Sequence, residues 1–144
     1  MSDPEPLDPD ARAWLADRHQ AVLVTLRADG TPQTSNVVTS FDGECFAVSV
    51  TDDRAKTRNL RRDDRAVLHV LGDDFWSYAA VTCEARLSPV SREPGDATGR
   101  ALLALHDAVA DAPHGDPEEF HAAMVTERRL LLTLVPRRVV GQGW

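Results

Sequence analysis

Two Asp-Gly dipeptides, Asp29-Gly30 and Asp42-Gly43, separate runs rich in Val, Thr and Phe, and this punctuation constrains the fold more than any other feature. Both residue types tolerate the positive φ of a tight hairpin, so the pattern predicts strands over residues 21–26, 34–41 and 44–50, paired antiparallel in sequence order. Later apolar runs predict strands over residues 66–71 and 78–87, then two closing strands over residues 130–135 and 138–140 around Pro136. Within 78–87, Val81, Cys83, Ala85 and Leu87 alternate with Thr82, Glu84 and Arg86, the mark of a strand with one wet or ligand-facing side. Helices are expected between the strands. One covers residues 11–16, capped by Asp8 or Asp10, and a charged one covers residues 53–62. Another spans residues 97–110 with Leu102, Leu103, Leu105 and Val109 inward, and a last one ends near residue 125. Six or seven short strands with inserted helices fit a mainly β fold, a small antiparallel barrel rather than a parallel α/β sheet. The chain has no glycine-rich dinucleotide fingerprint.

A chain of 144 residues, 42% of them hydrophobic, can bury a core without disulfides or metal staples, which predicts one domain over residues 1–144 with residues 1–8 as a disordered lead. The formal charge of -7 argues against general binding to nucleic acid or to an anionic membrane, both of which need a basic field. Cys45 and Cys83 lie far apart in apolar runs, with no histidine at ligand spacing, and read as reduced core residues rather than metal ligands. The start, Met1-Ser2-Asp3-Pro4-Glu5-Pro6, is acidic and proline-rich where a secretory signal is basic and then apolar. No run approaches a membrane span, so a cytoplasmic protein is expected.

Basic residues matter locally. Arg54, Lys56 and Arg58 crowd the opening turn of the charged helix, where the backbone dipole is already positive and each exposed cation forgoes or reverses about 0.3–1 kcal/mol. With the orphan N–H groups of that turn, the Thr57 hydroxyl and a cap from Asp52 or Asp53, they would form an anion socket suited to phosphate. The same charges also suit a solvated helix, and charge pattern alone leaves both readings open.

The order of strand, Asp-Gly hairpin, strand with Pro32-Gln33-Thr34-Ser35-Asn36-Val37, Asp-Gly hairpin, strand, and then Arg54-Ala55-Lys56-Thr57-Arg58-Asn59-Leu60 resembles the flavin-binding split barrel of the pyridoxamine 5′-phosphate oxidase superfamily. Within it the chain is most similar to the actinobacterial flavin/deazaflavin oxidoreductases, many of which use coenzyme F420. The resemblance runs from about His19 to Gly141 and includes residues 123–134; the arginine- and lysine-bearing segment is its most specific part. It implies a homodimer of split barrels, each cofactor site built mainly by one chain and completed by the other. It also implies roles. Arg54, Ala55, Lys56 and Thr57 fall on the segment that holds the cofactor phosphate, with Asn59 a polar position nearby. Ser49, Val50 and Thr51 fall beside the ribityl chain and ring, Ser35, Asn36 and Val37 next to the tricyclic ring, and Trp76 where a loop or the partner walls the site.

Without the resemblance, Ser35, Ser49 and Thr51 read as ordinary strand residues, Asn59 as a surface helix residue, and Trp76 and Tyr78 as core or dimer contacts. The resemblance implies F420-dependent reduction of a small conjugated molecule, with hydride taken from the reduced cofactor and no catalytic side chain nominated. The five histidines share no spacing that forms a site. Two other readings stay open: an FMN-dependent oxidoreductase using the same phosphate socket, and a non-catalytic cofactor carrier.

Overall fold

The structure, a computed structural model, describes residues 7–144. Along the chain run α1 (Pro9–Ala16), β1 (Gln20–Leu26), β2 (Pro32–Val38), β3 (Ser40–Phe41), β4 (Phe46–Thr51), α2 (Ala55–Arg62), β5 (Arg65–Leu71), β6 (Tyr78–Leu87), α3 (Ala97–Ala110), α4 (Pro117–Thr126) and β7 (Arg129–Gln142). The strands form one seven-stranded sheet in the order β2-β1-β5-β6-β7-β4-β3, antiparallel at every pairing. β2 and β4, near opposite ends of that order, come into contact, so the sheet curls into a split barrel with a seam between them. Among the described residues no helix is long and apolar enough to cross a membrane.

Both Asp-Gly pairs turn the chain, with a division of labour inside each pair. Gly30 takes φ 87° and donates its N–H to Arg27 O at 2.9 Å, while the Asp29 carboxylate accepts from the Thr31 N–H at 3.0 Å and its hydroxyl at 2.6 Å. Gly43 takes φ 99°, and the Asp42 carboxylate accepts from the Glu44 and Cys45 N–H groups at 2.8 Å each. The aspartates therefore act through their side chains, and the positive φ falls to the glycines alone.

Two strand expectations need correction. The run 34–41 breaks at buried Thr39, whose N–H donates to His19 O and whose hydroxyl donates to Ala47 O, each at 2.9 Å. Before that residue the chain pairs with β1; after it, with β4. Thr39 thus carries the chain across the seam and closes the barrel at that end. The two closing strands are instead one, β7, because Pro136 sits opposite a register shift between Thr82 and Cys83 that accommodates its missing N–H. Arg137, the extra residue of that bulge, pairs with Glu84.

Of the expected disordered lead, residues 1–6 lie outside the described residues. Leu7 is buried against the core, and the Asp8 carboxylate caps α1 by accepting the Asp10 N–H at 2.7 Å. Inside the barrel, Leu23, Val48, Leu68, Val81 and Leu132 are fully buried, with Leu15 from α1 and Leu60 from α2 closing the ends. Cys83 belongs to this core, where burial pushes its thiol up to about 12; Cys45 is half-buried in the β3–β4 turn.

A second cluster, Leu102, Phe120 and Met124 packed with Leu131, fastens α3 and α4 against the outer face of β7. The rest of the outer face carries the row Asn36, Val22, His69, Ala80, Val140, each opposite the next. Val38, Leu71, Phe75, Trp76 and Val140 are exposed there and on the adjoining β5–β6 loop.

Candidate functional site

Alternation along β4 decides which side chains reach the seam. Val50 points into the core, so Ser49 and Thr51 face outward. The chain then passes Asp52-Asp53-Arg54 and enters α2 at Ala55, two residues later than expected. Arg54 is the extended residue before the helix, and no side chain caps it.

The expected cap from Asp52 or Asp53 is not made. The Asp52 carboxylate instead bonds Arg61 at 2.5 Å and also Arg128, and these guanidiniums, Arg61 first, hold it below the usual carboxylate range. The first-turn N–H groups of α2 are left open to an external acceptor.

Thr57 is buried, and its hydroxyl donates to Thr51 O at 2.7 Å, tying helix to strand. Asn59 is also buried. Its amide nitrogen donates to Thr25 Oγ1 at 3.1 Å and its oxygen accepts from Arg62 at 3.0 Å. Thr25 in turn donates to Gln33 Oε1 at 3.1 Å, and Gln33 donates to Ser35 Oγ at 2.9 Å. Asn59 and Ser35, both assigned to the cofactor by resemblance, therefore belong to a polar chain fixing α2 to β1 and β2.

Beside this anchored helix lies a cleft of about 530 Å³. Asn36, Val37 and Val38 of β2 and Ser49 of β4 form one side, Lys56 and Arg129 supply its cations, and Glu127 lies with them. The opposite wall is apolar: Leu102, Leu105 and Val109 of α3, with Phe120 and Met124 of α4. Such a cleft, apolar with a few convergent polar groups, is the usual form of a small-molecule site.

Lys56 is half-buried and makes no hydrogen bond or ion pair with the described residues. Desolvation, and then the positive charges of Arg54 and Arg129, pull its pKa below the ordinary lysine value of 10.5.

Of the residues singled out in the sequence, Asn36, Val37, Ser49 and Lys56 meet on the cleft. Arg54 and Ala55 are exposed at the mouth of α2, Thr51 lies one residue beyond Ser49, and Trp76 stands exposed on the β5–β6 loop without lining the cleft of its own chain. Arg129 and the α3–α4 wall carried no role in the sequence reading. The only signal for Arg129 was its place within the resembling stretch, because its position depends on the pairing of Thr51 with Arg129.

Of the histidines, His106 borders the cleft with Nδ1 3.2 Å from Asp107 Oδ1, while His69 stacks on Tyr78 with centroids 5.0 Å apart on the outer sheet face.

Comparison with known proteins matches residues 7–139 to the pyridoxamine 5′-phosphate oxidase family. The chain is similar to the F420H(2)-dependent biliverdin reductase of Mycobacterium tuberculosis (strain CDC 1551 / Oshkosh), 29% identical over 139 residues, covering 95% of this chain and 89% of that protein. Among solved structures it is similar to an F420 reductase, with a TM-score of 0.70 and 25% identity over 97% of this chain and 100% of that one. It shares its fold with a pyridoxamine 5′-phosphate oxidase-related, FMN-binding protein of Nostoc punctiforme PCC 73102, with a TM-score of 0.61 and 16% identity over 89% of this chain and 75% of that one. Antiparallel split barrel, cleft at the seam and a family match over nearly the whole chain agree: this chain belongs to the pyridoxamine 5′-phosphate oxidase family.

Proposed function

We propose that this protein is an F420-dependent reductase of a small conjugated acceptor, working as a homodimer in the cytoplasm. One observation carries the reading: Lys56, a half-buried cation without a counter-charge among the described residues, stands on the cleft at the uncapped start of α2. Open N–H groups and an unpaired ammonium suit a phosphate-bearing cofactor. The likeness to two proteins named for F420 supports the deazaflavin as the first reading.

The chemistry such a group supplies when bound is a hydride for an electron-poor carbon of the acceptor. The protein's own part is binding, orientation and exclusion of water. Lys56 and Arg54 neutralise the phosphate, Asn36 and Ser49 offer hydrogen bonds along the seam, and the apolar wall of α3 and α4 keeps solvent from the acceptor.

FMN is the second reading, favoured by the family and by the fold shared with the FMN-binding Nostoc protein. Side-by-side fluorescence titrations decide between them, with tighter binding of F420 expected; equal or tighter FMN binding would promote the flavin. Oxidation of reduced F420 by a panel of conjugated acceptors then separates a reductase from a carrier, which would bind without turnover.

The homodimer is motivated by the apolar outer face. Val38 and Leu71 border one shallow depression, and Val140, Phe75 and Trp76 extend the exposed area. An obligate pairing over such a face buries roughly 2,000 Å² or more. Sedimentation at micromolar concentration should give a dimer mass; a monomer that still binds cofactor refutes the assembly.

A further inference from the structure

We propose that Arg129 and Lys56, with the Ser49 hydroxyl, form a seat for one anionic group, whose apolar body lies against the wall built by Leu102, Leu105, Val109, Phe120 and Met124. The inference rests on the cleft being the functional site. It adds a residue from the far end of the chain and a ligand class: an apolar, conjugated molecule carrying a carboxylate, sulfonate or phosphate group.

Arg129 is held rather than dangling. Its Nε donates to Glu127 Oε1 at 2.9 Å and its Nη1 donates to Ser49 Oγ at 3.2 Å. The turn behind it is fixed as well. Arg128 takes φ 54°, its carbonyl accepts the Asp52 N–H at 3.0 Å, and its guanidinium pairs with the Asp52 carboxylate. A guanidinium has five N–H donors, and Nη2 of Arg129 makes no bond to a described residue, so donors remain for a ligand.

Charge balance points the same way. Two nearby carboxylates are already engaged, Glu127 by Arg129 and Asp52 by Arg61 and Arg128, while Lys56 has no carboxylate partner among the described residues. Desolvation, and after it the charges of Arg54 and Arg129, make protonation of Lys56 less favourable than in an ordinary lysine. An anion between Lys56 and Arg129 reverses that penalty. The facing wall is apolar, so a small inorganic ion would leave most of the cleft unfilled; an amphiphilic acid satisfies both sides.

The anionic group has two sources, the cofactor phosphate and an acid on the acceptor, and the test separates them. The probes are 8-anilinonaphthalene-1-sulfonate and its uncharged relative N-phenyl-1-naphthylamine, followed by fluorescence in the purified full-length protein. The sulfonate should bind at least tenfold more tightly than the neutral probe. Arg129→Gln should weaken the sulfonate tenfold or more and leave the neutral probe within about threefold. Arg129→Lys, which keeps charge without the fork, should recover part of the loss, and circular dichroism checks that both variants fold.

Repeating the titration with saturating F420 locates the source. Displacement of the sulfonate assigns the seat to the cofactor phosphate, and simultaneous binding assigns it to the acceptor. Equal affinity for the two probes, or sulfonate binding indifferent to Arg129→Gln, overturns the seat even if F420 binds. Failure of F420 to bind while the Arg129-dependent sulfonate site persists would instead sink the cofactor reading and leave the seat standing.

Discussion

Lys56→Ala is expected to weaken F420 binding roughly ten- to hundredfold without destabilising the protein. A hydrogen bond to a charged partner is worth about 1.5–3 kcal/mol, and Lys56 has no other partner among the described residues to which that energy could belong. Its pKa is lowered in the folded protein, so the unfolded chain holds the proton more tightly. The ammonium therefore opposes folding below its folded pKa, and the penalty fades as pH rises from there toward 10.5. Removing it costs the fold nothing electrostatically, and alanine is the better helix former.

The same sign governs the ligand. An anion binds the protonated form and raises its pKa, so affinity is full below the free-protein value and falls as pH climbs through it toward the higher value in the complex. Fluorescence titration of variant and parent across that range checks both statements. An unchanged dissociation constant would return Lys56 to the role of a solvating charge.

What was legible in the sequence depended on how far apart the interacting residues lie. The hairpins were legible because Asp29, Gly30, Asp42 and Gly43 act on their immediate neighbours. The continuity of β7 was not, since the shift that makes room for Pro136 lies in its pairing with β6. The break at Thr39 follows from which strands lie on either side of the seam, again a long-range matter.

The site divides in the same way. Lys56 stood out through a local motif and Ser49 through the family resemblance, and both reach the cleft. Asn59 belongs to that motif too, yet its amide is committed to Thr25, a partner that only the folded barrel brings near. That Arg129 and the apolar wall belong to the site was not legible, for the converse reason. Ordinary helix and strand residues in the chain become a ligand surface only when β7 lies beside β4 and the α3–α4 pair folds over the outer face.

Leu68→Ala should cost about 2–5 kcal/mol, a large share of the roughly 5–15 kcal/mol that holds a domain together. Leu68 is fully buried on β5, with Leu23 of β1 directly opposite on one side and Val81 of β6 on the other, both also fully buried. The strands carrying these neighbours are hydrogen-bonded into the barrel, so they cannot close over the cavity without breaking ladder bonds. The transfer and cavity penalties therefore add. The thermal midpoint should fall by roughly 5–20 °C, read at one fixed protein concentration because the stability of the proposed dimer would depend on it. Leu68 faces the barrel interior and lines no part of the cleft, so at low temperature the variant that remains folded should bind F420 within about threefold of the parent. Lys56→Ala and Leu68→Ala thus exchange effects, one losing affinity and keeping stability, the other the reverse. A denaturant-measured loss below about 1 kcal/mol at Leu68 would mean that β1, β5 and β6 shift enough to fill the space, and that the barrel beneath the cleft is less rigid than its packing implies.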